Sequence, residues 1–279
     1  MTLDSSRKKA DLHIHTCYSD GLLSPTEVTE HAKKRGLQTI AITDHDSILG
    51  VEEARTSGGR ELEVIPGVEL STIYQDVDVH ILGYYVDFRN GKLISYLVDL
   101  QRFREQRARQ MIEKLAGYGI RIEYDRVRDI AQQGALGRPH IATAMQEKGY
   151  VATIDEAFYR FIGYHGPCYV PKKEIEPREA IATIKEFGGL AVLAHPGVYG
   201  CDELTAQILK DGIDGVEVWH PEHSKTCVER LLRLAKEGGL LITGGSDCHG
   251  GRKGRSVLIG QVFIDECYVN ALRQRAGAV

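Results

Sequence analysis

Along the first ninety residues, short apolar runs alternate with charged stretches of helical spacing. ADLHIH, QTIAIT, LEVIPGVELS and DVHILGYYVD are rich in Val, Ile and Leu and short enough to be strands. Between the first two, SPTEVTEHAKKRG places Ser24 and Glu27 in the spacing of a capping box, with Pro25 in the first turn and Gly36 at the end. That pattern predicts a helix with Val28, Ala32 and Leu37 turned inward. Asp46 or Ser47 is expected to cap a short helix through ILGVEEAR, and the Pro-Gly step in LEVIPGVELS is expected to form a turn. Alternation returns in the last third. Helical EPREAIATIKEFGG, DELTAQILKDG and KTCVERLLRLAKEGG intervene between strand-like LAVLAHPG, DGVEVWHPEHS and LLITGGSDCHG. Repeated strand-helix units of this length predict an α/β fold, either a barrel or a doubly wound sheet.

The middle departs from this rhythm. Residues 92–166 read as a helical insertion, so that 1–91 and 167–279 make up the alternating domain. Between 101 and 140 there are nine Lys or Arg against five Asp or Glu. Such a stretch reads as a solvated helical face or as a cap that attracts an anionic substrate.

At 279 residues and 42% hydrophobic content the chain can bury a sizeable core, and its net charge of -4 argues against a protein that coats nucleic acid. No apolar run is long enough to cross a bilayer, and the first ten residues lack a signal-peptide core. Six cysteines form no CxxC pair, so neither a zinc knuckle nor a secreted disulfide scaffold is indicated, and the reducing cytoplasm is the expected compartment.

Eleven histidines carry more information, because most stand beside carboxylates at the ends of strand-like runs. In an extended strand His13 and His15 share one face and Ile14 the other. Asp20 follows. Later runs end in Asp44, His45 and Asp46, then Glu69, then His195, then His220 and His223, then Asp247 and His249. His80 lies near the start of its run and fits less well. If the segment around Cys248 is extended, Asp247 and His249 point one way and the cysteine the other. In α/β barrels the functional groups collect at the carboxyl ends of the strands. Imidazole with carboxylate and no thiolate suits zinc, manganese or iron. No single motif is specific, but their joint occurrence is.

This set resembles the polymerase and histidinol phosphatase (PHP) family of metal-dependent phosphoesterases. The resemblance rests on DLHIHTCYSDG, AITDHDS, PGVEL, His80 of DVHILGY, LAHPG and GSDCHG, in the family's order from residue 11 to 250. It implies a distorted barrel of seven β/α units, TIM-like, with the helical insertion as a cap. It also implies two or three divalent metals. His13, His15, Glu69 and Asp247 would hold the first, with Glu69 bridging to a second held by His80 and His195. Asp20, His45 and His249 would hold a third; some relatives have histidine in place of Asp20. GRPHIA, LAHPG and VEV-HP-H bring the chain closer to a bacterial subgroup similar to phosphatases of nucleoside 3′,5′-bisphosphates and to 5′→3′ exonucleases of short RNA.

The expected function is therefore metal-dependent phosphoester hydrolysis on a small nucleotide, extending to short RNA 5′ ends, with no covalent protein nucleophile, no membrane and no obligate protein partner. Arg138 offers a planar fork of donors to a phosphate, or bridges helices. His140 binds or protonates the substrate, or caps its helix. His223 is a candidate for phosphate binding or for protonating the leaving oxygen. His220 and Asp44 stand between orienting a ligand and simple packing. Histidinol phosphate is the alternative substrate, a non-catalytic PHP scaffold the alternative role, and amide hydrolysis a further rival chemistry.

Overall fold

A computed structural model describes residues 8–251 and 257–278. Residues 1–7, most of the segment read above for a targeting signal, lie outside it. The strands are β1 (Lys9–Ile14), β2 (Thr39–Ile42), β3 (Glu63–Tyr74), β4 (Val77–Tyr84), β5 (Leu190–Leu193), β6 (Gly215–Trp219), β7 (Leu241–Gly244) and β8 (Ile264–Asp265). They form one sheet in the order β7-β6-β5-β4-β3-β2-β1-β8. The sheet curls nearly shut. Beyond the end of β7, Cys248 bridges to Ile14 in parallel, and the His15 amide donates to the Cys248 carbonyl at 3.0 Å. The result is the α/β barrel that the alternation and the family resemblance predict.

Its distortion has a specific form. β1, β2 and β3 run parallel, as do β5, β6 and β7, but β4 is antiparallel to both of its neighbours. β3 and β4 are therefore a hairpin. The reversal accounts for His80: the beginning of β4 lies at the same mouth as the ends of the other strands, and Ser71 of β3 is its register partner. Two local expectations fail. β3 continues through Pro66 and Gly67 with no turn between them, because Gly67 lies so close to the Ile42 and Gly83 carbonyls that a side chain has no room there. Nor does Asp46 or Ser47 cap the following helix; α2 (Val51–Gly58) starts at Gly50 without a side-chain cap. Asp46 is instead left-handed (φ 48°) and its carboxylate accepts the Ser71 amide.

The capping box is present: in α1 (Pro25–Lys34) Ser24 Oγ accepts the Glu27 amide and Glu27 accepts the Ser24 amide. Strands covered on both faces read as near-continuous apolar runs. Accordingly Leu12, Ala41, Ile65, Leu82 and Val192 fill one core, while Ile14, Ile40, Ile42, Leu70 and Ile81 pack in another with the surrounding helices.

After β4 come α3 (Gly91–Gly117), α4 (Tyr124–Ala131), α5 (Arg138–Glu147), α6 (Ile154–Ala157) and a π-helical turn over Phe158–Ile162. α3 belongs to two cores. Leu93, Leu97 and Leu100 pack with the barrel, whereas Ala108, Met111 and Leu115 pack with Val127, Ile141 and Met145 of the following helices. The long helix thus joins the insertion to the barrel in one piece. The chain returns through α7 (Pro177–Glu186), α8 (Asp202–Ile208), α9 (Lys225–Gly238) and α10 (Glu266–Ala276). Among the described residues no helix is long and apolar enough to cross a membrane.

Candidate metal centre

Glu69 stands at the middle of the barrel mouth. One carboxylate oxygen, Oε1, is 3.0 Å from His80 Nδ1 and 3.1 Å from His195 Nε2. The other, Oε2, is 3.1 Å from His15 Nε2, 3.1 Å from His45 Nδ1 and 3.3 Å from His13 Nε2. Five imidazoles from five places in the sequence therefore meet one carboxylate. On its other side, Asp247 Oδ1 lies 3.1 Å from His15 Nε2 and 3.4 Å from His13 Nε2. His249 Nε2 faces Asp20 Oδ1 at 3.2 Å.

Three groups of side chains place their ligand atoms close enough to share an ion: His13, His15 and Asp247; His15, Asp20, His45 and His249; and His45, Glu69 and His80. The nine ligand-type residues singled out in the sequence all lie in this cluster. The grouping differs in detail from the set implied by resemblance: Glu69 is grouped with His45 and His80, while His195, although 3.1 Å from Glu69, belongs to none of the three groups.

The residues fit a metal centre on a further count. Glu69 Oε2, Asp20 Oδ1, His45 Nδ1 and His195 Nδ1 are buried and have no hydrogen-bond partner. Buried polar atoms are ordinarily satisfied, and leaving one bare costs about 1–3 kcal/mol. Of these, Glu69 Oε2 and His45 Nδ1 lie 3.1 Å apart and Asp20 Oδ1 lies 3.2 Å from His249 Nε2, an arrangement that suits a cation among them. The electrostatics agree. Burial alone would raise the Glu69 carboxyl, but His45, His80 and His13 hold it well below the usual range. Burial opposes a charge on His249, yet Asp20 raises its pKa to about 10.

Backbone strain concentrates here as well. His195 (φ 25°), Asp247 (φ 46°) and Asp46 (φ 48°) are left-handed although none is glycine, a conformation that persists only where surroundings enforce it. The extended segment expected around Cys248 is therefore not formed. Asp247 and His249 still reach the cluster, because the left-handed turn at Asp247 lets its own carbonyl take the His249 Nδ1 proton at 2.9 Å. Cys248 is buried and packs into the barrel core.

Behind the ligand atoms stands a second set of contacts. Glu217, on β6, was not singled out in the sequence. It is fully buried, accepts the His13 Nδ1 proton at Oε1 (3.0 Å) and accepts the His195 amide at Oε2 (2.7 Å). The only signal for it is a charge inside the apolar run VEVW. Asp11 is likewise buried. It accepts the Ser246 and Gly260 amides and ties β1 to the loops beyond β7, while burial raises its pKa to about 6. His220 Nε2 contacts Asp247 Oδ2 at 3.2 Å. Asp44 reaches His15 only through Ser19, whose Oγ lies 2.6 Å from Asp44 and 3.4 Å from His15 Nδ1.

The three residues expected at the substrate are placed differently from one another. Arg138 lines a cavity that opens beside Asp20, His45 and His80. His140 does not line it; its Nδ1 accepts the Gly137 amide at 2.9 Å and caps α5. His223 is held at both ring nitrogens by backbone, Nδ1 donating to the Val218 carbonyl and Nε2 accepting the Gly197 amide. Burial lowers the pKa of both histidines.

Three relatives resemble this chain over most of its length. A 5′-3′ exoribonuclease of Haemophilus influenzae is 35% identical over 87% of this chain and 90% of its own. A 3′,5′-nucleoside bisphosphate phosphatase of Chromobacterium violaceum is 33% identical over 88% and 90%. A solved structure from Bifidobacterium adolescentis, assigned to the metal-dependent phosphoesterases, superposes with a TM-score of 0.87 at 34% identity, covering 95% of this chain and 96% of that one. Residues 11–243, which span β1 to β7 and most of the ligand cluster, match the PHP domain, and the chain belongs to that family.

Proposed function

We propose that the protein is a metal-dependent phosphoesterase that hydrolyses phosphate esters of nucleotides carrying a second phosphate, nucleoside 3′,5′-bisphosphates and the 5′ ends of short RNA among them. The observation that carries this reading is one cavity with two kinds of wall. Asp20, His45 and His80 of the ligand cluster form one side, and Arg104, Arg107, Arg138, Lys172 and Lys173 form the other. Asp46 and Asp78 offset part of that charge, and the remaining cations suit a substrate with more than one phosphate. The names of the two enzyme relatives point to the same substrates.

His13, His15, Glu69 and Asp247 are proposed to hold one divalent ion, Glu69 with His80 and His195 a second, and Asp20 with His45 and His249 a third, with manganese, iron and zinc all compatible with the donor set. Such ions, when bound, neutralise charge on the phosphoryl oxygens and make water a better nucleophile. The chain's own groups do the rest. Arg138, held at 3.1 Å from Asp78, presents its guanidinium to a phosphate at the cavity wall. Lys172, 3.0 Å from the other oxygen of Asp78, adds a second cation in a largely buried position, where charge interactions are strong. Residues 92–166 act as the cap that brings Arg104, Arg107 and Arg138 over the mouth. His140 and His223 remain candidates for substrate binding and proton transfer, but each would first exchange a backbone hydrogen bond to do so.

The test is parallel assay of adenosine 3′,5′-bisphosphate and histidinol phosphate with metal-loaded protein. Phosphate release from the bisphosphate with kcat/KM at least about tenfold higher is the expected result, since a second anionic group gains about 1.4 kcal/mol or more at such a wall. Equal or reversed preference removes the substrate assignment. Turnover that survives complete chelation removes the chemistry.

A further inference from the structure

One feature of the insertion and of the segment just after it extends beyond the metals. From the cavity wall outward, aromatic rings and guanidinium groups alternate as far as Tyr169, and rings alone continue to His165. Phe158 lines the cavity, with the Arg138 guanidinium carbon 5.4 Å from its ring centre. The same guanidinium is 5.7 Å from the Tyr169 ring, and Arg107 is 5.4 Å from that ring. Tyr169 meets Tyr164 with centroids 5.2 Å apart, and Tyr164 meets His165 edge-on at 4.9 Å. Burial falls along the same path. Phe158 and Tyr169 are half-buried, whereas Tyr164 is 42% exposed and His165 is exposed.

The loop that presents these rings is braced. The Gly163 amide closes onto the Phe158 carbonyl at the end of the π-helical turn, and the Cys168 amide onto the Phe161 carbonyl. A side chain at Gly166 would meet the Phe161 carbonyl oxygen at 2.3 Å, so the loop depends on glycine there. Lys114 Nζ donates to the Tyr169 carbonyl at 2.8 Å, and Arg107 Nε to that of Val170 at 2.7 Å. The Tyr164 hydroxyl faces Asp76 in the turn between β3 and β4. π-Helical turns recur at functional sites, and here one carries Phe158 to the cavity.

Alternating ring and cation on a fixed surface is the chemistry that binds unpaired nucleic acid. Bases stack on aromatic faces, cations track the phosphates, and base pairing would bar the stacking. We propose that the ribbon Phe158–Arg138–Tyr169–Tyr164 is the track for the single-stranded RNA that follows the reacting 5′ nucleotide. The inference rests on the hydrolase reading above and extends it from a mononucleotide to a polymer. A docked protein would instead need a contiguous apolar patch, and here the rings nearest the cavity, Phe158 and Tyr169, are interleaved with guanidinium charge.

The experiment compares adenosine 3′,5′-bisphosphate with 5′-phosphorylated oligoribonucleotides of increasing length, in the wild type, Tyr164→Ala, Tyr164→Leu and Tyr164→Phe. In the wild type, KM is expected to fall as nucleotides are added and then level off. Tyr164→Ala and Tyr164→Leu should raise the oligonucleotide KM roughly tenfold, the scale of one stacked base, with the bisphosphate KM unchanged. Tyr164→Phe should keep the wild-type values, because the ring and not the hydroxyl does the stacking. If the bisphosphate is hydrolysed while KM ignores both RNA length and loss of the ring, the track is wrong and the hydrolase stands. If neither substrate is hydrolysed, the hydrolase reading fails, and anisotropy with a labelled oligoribonucleotide decides the track alone: binding indifferent to Tyr164→Ala overturns it. Two non-aromatic variants guard against one of them folding poorly.

Discussion

Glu217 Oε1 lies 3.0 Å from His13 Nδ1, both side chains fully buried, and this contact turns Nε2 of the same ring toward Glu69 and Asp247. The other Glu217 oxygen receives the His195 amide, so one carboxylate from β6 fixes His13 on β1 and the strained backbone of His195 after β5. Carboxylates behind metal-binding histidines set tautomer and orientation in this way.

Glu217→Gln should therefore weaken metal binding although no ligand is lost. The amide has one oxygen for two donors, and its NH2 must face either the His13 Nδ1 proton or the His195 amide. A loss of about 10–100-fold in metal affinity is expected, read by competition with a chromophoric chelator. Unchanged affinity in a folded variant would remove Glu217 from the centre.

Stripping the metals should abolish phosphate release, and manganese should restore it. Asp20→Ala removes the carboxylate that faces His249, so it should lower the number of ions bound per chain by about one while leaving those near Glu69. Elemental analysis of the dialysed protein reads this directly. An unchanged stoichiometry would mean that Asp20, His45 and His249 hold no ion.

Arg138→Ala should raise KM for the bisphosphate by about 10–100-fold, as expected when a charge-assisted hydrogen bond worth ~1.5–3 kcal/mol is lost. Arg138→Lys should recover part of the loss but not all, because a point charge lacks the planar fork. Steady-state kinetics distinguish these outcomes. Equal KM in all three proteins would leave Arg138 a bridge to Asp78 and nothing more.

Asp78 ties β4 to the cap. Burial would raise its pKa, but Lys172 and then Arg138 bring it down to about 2 from the usual 3.8. A depressed carboxyl adds stability that is complete above about pH 4 and is lost as pH falls toward about 2. With Asp78 partly exposed, the contribution is no more than about 1–2 kcal/mol. The stability difference between wild type and Asp78→Asn, from urea unfolding, should thus shrink from pH 5 to pH 3. A difference independent of pH would show that the charge is not what matters.

Deep in the barrel the Tyr84 hydroxyl donates to the Leu12 carbonyl at 2.9 Å, stitching β4 to β1 across the interior. Tyr84→Phe should cost about 1–2 kcal/mol, since the ring still fills its space and one buried acceptor is left bare. Thermal unfolding measures it, and a neutral substitution would mean that the carbonyl finds another donor.

Much of the centre was legible in the sequence because its signals are local. An HxH pair at the end of a strand, a carboxylate after an apolar run and a DxH pair before glycine are each weak alone, but each is written in adjacent residues and together they are specific, and Ser24 with Glu27 announced its helix by local spacing too. The α/β class followed from the period of the apolar runs, which left a barrel and a doubly wound sheet both open, and the barrel came from the family resemblance. What stayed hidden depends on partners far away in the chain. Glu217 is 204 residues from His13, and inside VEVW it reads only as a polar residue in a strand. The direction of β4 is set by pairing on both sides, and without it His80 looks misplaced. Asp46, Asp247 and His195 hold left-handed backbone that their own residue types disfavour, so surrounding contacts alone decide it. Periodicity along the chain tells which side chains share a face, whereas the three-dimensional packing decides which faces meet, and that is where the tautomers, the strain and the cavity arise.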